Sequence, residues 1–162
     1  MEAYQGKIKA LQKAKDEIDN LKSQGKRVVF TNGCFDILHP GHIRYLNSAR
    51  ELGDYLIVAL NSDRSVRSIK GEGRPVLPQD ERAELLAALG FVDCVVIFDE
   101  DIPLKVIHFL MPDILVKGGD WAEEDIIGAD VVKDAGGKVR RIPFVPGFST
   151  SDLIDRILNL YG

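Results

Sequence analysis

Thr31-Asn32-Gly33-Cys34-Phe35-Asp36-Ile37-Leu38-His39-Pro40-Gly41-His42 reads as a strand end, a turn and a helix start in one run. The residues leading into it, Arg27-Val28-Val29-Phe30-Thr31, are β-branched and aromatic, as a buried strand requires. Pro40 suits a first helical turn, where its missing N–H would have no partner in any case. The helical pattern continues through Tyr45, Leu46 and Ala49 to Leu52, and Gly53 stops it. Tyr55 to Leu60 follows at once as a second apolar strand. Strand, helix and strand in that order, with the strands apolar throughout, form the βαβ unit of a parallel sheet covered on both faces.

The alternation extends toward the C-terminus. Asp80 to Leu89 reads as a helix ended by Gly90, Cys94 to Phe98 as a strand, and Leu104 to Leu110 as a helix. Ile114 to Val116 and Lys138 to Ile142 read as two more strands, and a last helix runs from about Asp152 to Leu160. The fold class expected is α/β: a Rossmann-like, doubly wound parallel sheet of about five strands flanked by helices. Tyr4 to Lys22 carries Ile8, Leu11, Ile18 and Leu21 on one stripe, so residues 1–24 are expected as an N-terminal helix packed on a single domain over 25–162. Asn61 to Gln79 is polar and holds Lys70, Gly71, Gly73, Arg74, Pro75 and Pro78, which predicts a long binding loop or lid.

A chain of 162 residues suits one domain with a sizeable core. Its net charge of −4, without a concentrated basic stripe, argues against a nucleic-acid partner. Cys34 and Cys94 have no metal-ligand spacing and read as buried, reduced thiols. The sequence shows no signal-peptide pattern and no long apolar run, so the expectation is a cytoplasmic protein without a membrane partner.

His39 and His42 are three residues apart and can share one side of the helix entrance, with Gly41 between them leaving room for a ligand. Two imidazoles beside a helix N-terminus suit phosphate, whose charge the free N–H groups and the helix dipole favour. The dipole should lower the imidazole pKa values, and bound phosphate should raise them. One histidine capping the helix while the other packs is the competing account. Zinc fits poorly, since the chain has only three histidines. His108, inside Lys105 to Leu110, reads as an ordinary helix position. Ser149 with Asp152 has the spacing of a capping box, with Asp in place of Glu or Gln.

The motif resembles the H-x-G-H nucleotidyltransferase superfamily. The likeness spreads over TNGCFDILHPGH at 31–42, LGDYLIVALNSD at 52–63 and KGEGRPV at 70–76. It continues in ER at 81–82, DILVKGGDW at 113–121 and GFSTSDLIDRI at 147–157. The combination is most similar to the heptose 1-phosphate adenylyltransferases, which also occur as a domain of bifunctional heptose kinase/adenylyltransferases. This resemblance implies transfer of AMP from ATP to D-glycero-β-D-manno-heptose 1-phosphate, by in-line attack, with release of pyrophosphate. On that reading another protein, a sugar kinase, makes the acceptor, and the product feeds lipopolysaccharide core assembly or another glycan route. Mg²⁺ as the cofactor, carried by the ATP phosphates, is expected on charge grounds, and the leading helix or the motif-bearing helices offer a surface for a homodimer.

By the same resemblance, His39, His42 and Lys70 are the catalytic candidates. Thr31, Asn32, Gly33, Phe35, Gly41, Lys117, Gly119, Asp120, Ser149, Thr150 and Ser151 would bind the nucleotide. Asp36, Asn61, Asp63, Arg74, Arg82 and Trp121 would bind the sugar phosphate, with Asp36 also a candidate for Mg²⁺. Cys34 reads as packing, because direct attack needs no enzyme nucleophile. Ile154 stands where many superfamily members carry a basic residue, which leaves Lys70, Arg156 or the histidines to compensate. Two alternatives stay open: a cytidylyltransferase acting on glycerol 3-phosphate or a similar alcohol phosphate, and a non-catalytic nucleotide-binding module.

Overall fold

The computed structural model describes residues 2–119 and 121–162; Asp120 lies outside the described residues. Five parallel strands are described: β1 (Val28–Gly33), β2 (Tyr55–Asn61), β3 (Cys94–Phe98), β4 (Ile114–Gly118) and β5 (Lys138–Ile142). They lie in the order β3-β2-β1-β4-β5. The helices are α1 (Leu11–Ser23), α2 (Pro40–Arg50), α3 (Asp63–Lys70), α4 (Gln79–Ala87), α5 (Leu104–Leu110), α6 (Ala129–Asp134) and α7 (Thr150–Tyr161).

Successive side chains of a strand point to opposite faces, and the core divides accordingly. Val28, Phe30, Ile57, Ala59, Val96 and Leu115 pack on one face with residues of α1, α5 and α6. Val29, Leu56, Val58, Leu60, Val95 and Val116 pack on the other with residues of α2 and α4. All seven residues of β2 are buried, which is why its sequence is apolar without alternation. Strand starts are fixed by neighbouring carboxylates: Asp113 accepts from the Val28 N–H and Asp93 from the Leu56 N–H, each at 2.8 Å.

Two expectations about local structure are corrected. The leading helix is broken: a 3-10 turn over Ala3–Lys7 precedes α1, and the chain between them is extended. There Ile8 bridges to Val95 and the Lys9 N–H donates to the Val95 carbonyl at 2.9 Å, so this segment covers the edge strand β3. The stretch 61–79 is no continuous loop, because α3 occupies its first half. Ser62 caps α3 by accepting from the Ser65 N–H, and Val66 anchors it in the interior.

Candidate nucleotide site at the sheet's switch point

From β1 the chain winds outward to β2 and β3, then returns so that β4 lies on the other side of β1. The order reverses between β1 and β4, and the crevice outside their C-terminal ends is where open α/β sheets take ligands. β1 ends there in Asn32 and Gly33, and β4 in Lys117 and Gly118. Tyr45 of α2 ties the two strand ends together. Its hydroxyl lies 2.7 Å from Thr31 Oγ1 and donates to the Val116 carbonyl at 3.4 Å. Thr31 is thereby an interior residue, fully buried, and its hydroxyl serves the fold.

The two histidines cap α2 reciprocally. The His42 N–H donates to His39 Nδ1 at 3.4 Å, and the His39 N–H donates to His42 Nδ1 at 3.3 Å. Their rings stack with centroids 3.7 Å apart. An Nδ1 that accepts from a backbone N–H carries no proton, so each neutral ring holds its proton on Nε2. Burial pushes His42 down from the ordinary 6.5 to about 4, and His39 beside it adds to the shift. Burial lowers His39 as well. Both rings are therefore neutral near pH 7, with Nε2–H donors left over from the cap. Capping and ligand binding, which the sequence posed as competing accounts, use different nitrogens of the same rings.

The surroundings hold this pair in place. Phe35, buried and at φ +45°, sets its ring edge-on to His42 with centroids 5.5 Å apart. A side chain at Gly41 would sit 2.8 Å from the His39 ring and 3.0 Å from Phe148 Cβ, so only glycine fits between them. Phe148 stacks on His39 with centroids 6.2 Å apart and carries Arg44 over its face. This contact brings the start of α7 beside the start of α2. Ser149 caps α7 by accepting from the Asp152 N–H at 2.9 Å, and Thr150 Oγ1 donates to the Asp36 carbonyl at 2.8 Å. Ser151 is exposed. A cavity of about 390 Å³ opens beside His39, lined by Leu38, Pro40, Ile43 and Arg44.

Several residues expected to face the sugar phosphate are interior instead. Asp36 has a side chain with 0% exposure, and its two oxygens accept from Arg74 Nε, the Val76 N–H and the Leu77 N–H at 2.8, 2.8 and 3.0 Å. Burial alone would raise its pKa, but these three donors hold it below the ordinary carboxylate value. Both of its oxygens are thus engaged within the protein. Arg82 is also fully buried and donates to three carbonyls and to Asp63. Asn61 is buried, with its amide on Ser65 Oγ at 2.9 Å. Arg74 is engaged by Asp36, and Asp63 by Arg82.

Lys70 ends α3 and is exposed, yet its charge is felt at both Cys34 and Lys117. Lys117 is half-buried; burial lowers its pKa and Lys70 adds to the shift. Its ammonium lies 5.8 Å from the centre of the exposed Trp121 ring. Burial raises the Cys34 thiol despite three nearby cations, which suits packing and not nucleophilic chemistry. Sequence reasoning missed Phe144. Its ring is 74% exposed yet lies against Gly118 and Gly119, where a side chain on Gly119 would come within 2.6 Å of it. The signal that marks the place, a positive φ of +95° at Gly119 that glycine adopts freely, is visible only in the backbone. Asp120, expected to bind the nucleotide, falls outside the described residues.

The chain is 57% identical over 155 residues to the bifunctional protein HldE of Citrifermentans bemidjiense, covering 96% of this chain and 32% of that protein. It is 54% identical to the bifunctional protein HldE of Campylobacter concisus, covering 95% of this chain and 31% of that one. The chain thus spans about a third of the length of these relatives. The crystal structure of the lipopolysaccharide core biosynthesis protein from Thermoplasma volcanium GSS1 superposes with a TM-score of 0.60 at 30% identity, over 75% of this chain and 98% of that one. The cytidylyltransferase-like sequence model matches residues 30–155, from the first strand through the paired histidines to the last helix, and the chain belongs to that family.

Proposed function

We propose that this chain transfers AMP from ATP to D-glycero-β-D-manno-heptose 1-phosphate, giving ADP-heptose and pyrophosphate. A phosphate oxygen of the sugar attacks the α-phosphorus in line. The new O–P bond forms as the bond from the α-phosphorus to the bridging oxygen breaks, and that oxygen leaves with pyrophosphate. The reading rests on one observation above all: the reciprocal cap leaves two neutral imidazoles with their Nε2–H groups unspent at a helix N-terminus. Such preorganised donors act where charge develops, and each is worth about 2.7–4 kcal/mol in systems where one was removed.

Lys70 and Lys117 supply positive charge for the phosphates, and the start of α7 adds N–H groups. Phe144 on the Gly118–Gly119 backbone offers a flat apolar wall to the base. Mg²⁺ enters with the triphosphate as part of the substrate. No group of three His, Cys, Asp or Glu among the described residues is arranged to hold an ion. A sugar kinase must supply the 1-phosphate, and ATP with free thiols suits the cytoplasm. Among the described residues no helix is long and apolar enough to cross a membrane.

The test is pyrophosphate release with Mg²⁺ and each of ATP, CTP and GTP, against heptose 1-phosphate and glycerol 3-phosphate. Turnover with ATP and the heptose phosphate alone is expected. Turnover with CTP and glycerol 3-phosphate would assign the chain to the cytidylyl branch. Nucleotide binding without turnover in any pair would make it a binding module.

A further inference from the structure

Between Lys70 and Arg74 run Gly71, Glu72 and Gly73, all exposed, and nothing lies within 4 Å of where a side chain on either glycine would start. The chain is fastened on both sides of this short span. Upstream, α3 is tied to the loop after β3. Ser62 Oγ donates to Asp99 at 2.6 Å, Ser65 Oγ to the Glu100 carbonyl at 2.8 Å, and Ser68 Oγ to Asp101 at 2.8 Å. Downstream, Asp36 accepts from Arg74, Val76 and Leu77. Arg82 Nε donates to the Leu77 carbonyl at 2.9 Å, while its NH1 group reaches the Cys34 and Asn61 carbonyls at 2.6 and 2.9 Å.

Leu77 is thus held at its N–H by Asp36 and at its carbonyl by Arg82. Asp36 closely follows the end of β1, and Arg82, on α4, reaches the Cys34 carbonyl just after β1 and the Asn61 carbonyl at the end of β2. Asp36 also joins the third element of the site, since its own carbonyl accepts from Thr150 at the start of α7. The buried Asp36 carboxylate has all three of its partners inside Arg74–Leu77, and the buried Arg82 guanidinium ties the Leu77 carbonyl to Cys34, Asn61 and Asp63, so the two side chains together fix that segment against the strand ends.

We infer that Asp36 and Arg82 are positioning residues that make Arg74–Leu77 a fixed abutment, so that only Lys70–Gly73 moves and Lys70 arrives at the phosphates beside His39 and His42. The inference rests on the reading of Lys70 as a phosphate-binding residue. Neither Asp36 nor Arg82 touches substrate; both act through Lys70.

The test is a double-mutant cycle in the pyrophosphate-release assay. Asp36→Asn keeps the shape but weakens the abutment, and kcat should fall about 10-fold or more, since a misplacement of about 1 Å in a site can cost up to about 100-fold. Lys70→Ala gives its own loss. If Asp36 works through Lys70, the double variant turns over within about 2-fold of Lys70→Ala alone, because coupled residues are not additive. Losses that multiply would overturn the abutment and leave the role of Lys70 standing. Lys70→Ala at the wild-type rate would overturn both. Should Asp36→Asn fail to fold, Arg74→Met removes one of the three bonds to Asp36 and keeps both backbone ones. The same comparison then applies with a smaller loss, and multiplication again contradicts the inference.

Discussion

Two helices, α2 and α7, present their N-termini to the same crevice, and each is capped by a residue in extended conformation that accepts the N–H three positions on. Beyond the first turn they differ. α2 sinks Leu46 and Ala49 into the core on the face it shares with α4. None of the twelve residues of α7 is buried, and Ile157, Leu158, Leu160 and Tyr161 are between half and mostly exposed. The helix that carries the histidines is therefore fixed by packing, whereas α7 is held at its start, through Thr150 on Asp36 and Phe148 on His39. The same capping grammar yields a rigid platform in one place and a lightly docked element in the other, which matches local stability to the density of buried contacts.

The sharpest way to break this contrast is a pair of truncations. Leu46→Ala should cost about 2–5 kcal/mol in denaturant unfolding, as buried Leu→Ala changes do. Equal costs for Leu46→Ala and for the same change at Leu160 would refute it.

The second prediction concerns pH. His39 and His42 sit below the ordinary 6.5 in the folded chain, His42 at about 4, so the unfolded chain binds more protons in that window. The stability that depends on neutral rings is complete above about 6.5, falls as pH drops, and is spent by about 4. The melting temperature of His42→Gln should accordingly decline less than the wild type's between pH 7 and 4. Parallel curves would show that the pair is not the acid-sensitive part of α2.

Smaller still is Thr150→Val, which removes one hydrogen bond worth about 1 kcal/mol. If α7 is held by its first turn, hydrogen exchange should accelerate along the whole helix in this variant, and acceleration confined to residues 149–152 would sink the idea. Leu160→Ala is the smallest, within about 0.5 kcal/mol.

Much of this architecture was legible in the residues. β2 is seven buried residues in a row, and an apolar run bounded by Gly53 and Asn61 can hardly read otherwise. Pro40 and the histidine spacing marked the start of α2, and the cap chemistry of Ser149 marked α7. Other features were hidden for physical reasons. A carboxylate beside a ligand motif has the same letter whether it faces substrate or, as Asp36 does, spends both oxygens on the next loop. Arg82 read as a residue for the sugar phosphate, because burial of a guanidinium depends on carbonyls far along the chain, here those of Cys34 and Asn61. α3 has one buried apolar anchor, Val66, too little periodicity to stand out from a polar stretch. The break in the leading helix was set by the edge of β3, a partner far along the chain.

The central claim is that the unspent Nε2–H donors of the histidine pair stabilise adenylyl transfer. The most direct test compares wild type with His42→Ala for turnover and for ATP binding in the same buffer. The account predicts ADP-heptose and pyrophosphate formed in equal amounts by the wild type, and a loss of about 10²–10³ in kcat in the variant. ATP affinity should change far less than kcat. A variant that turns over normally, or one whose kcat loss is fully matched by lost ATP binding, would contradict it.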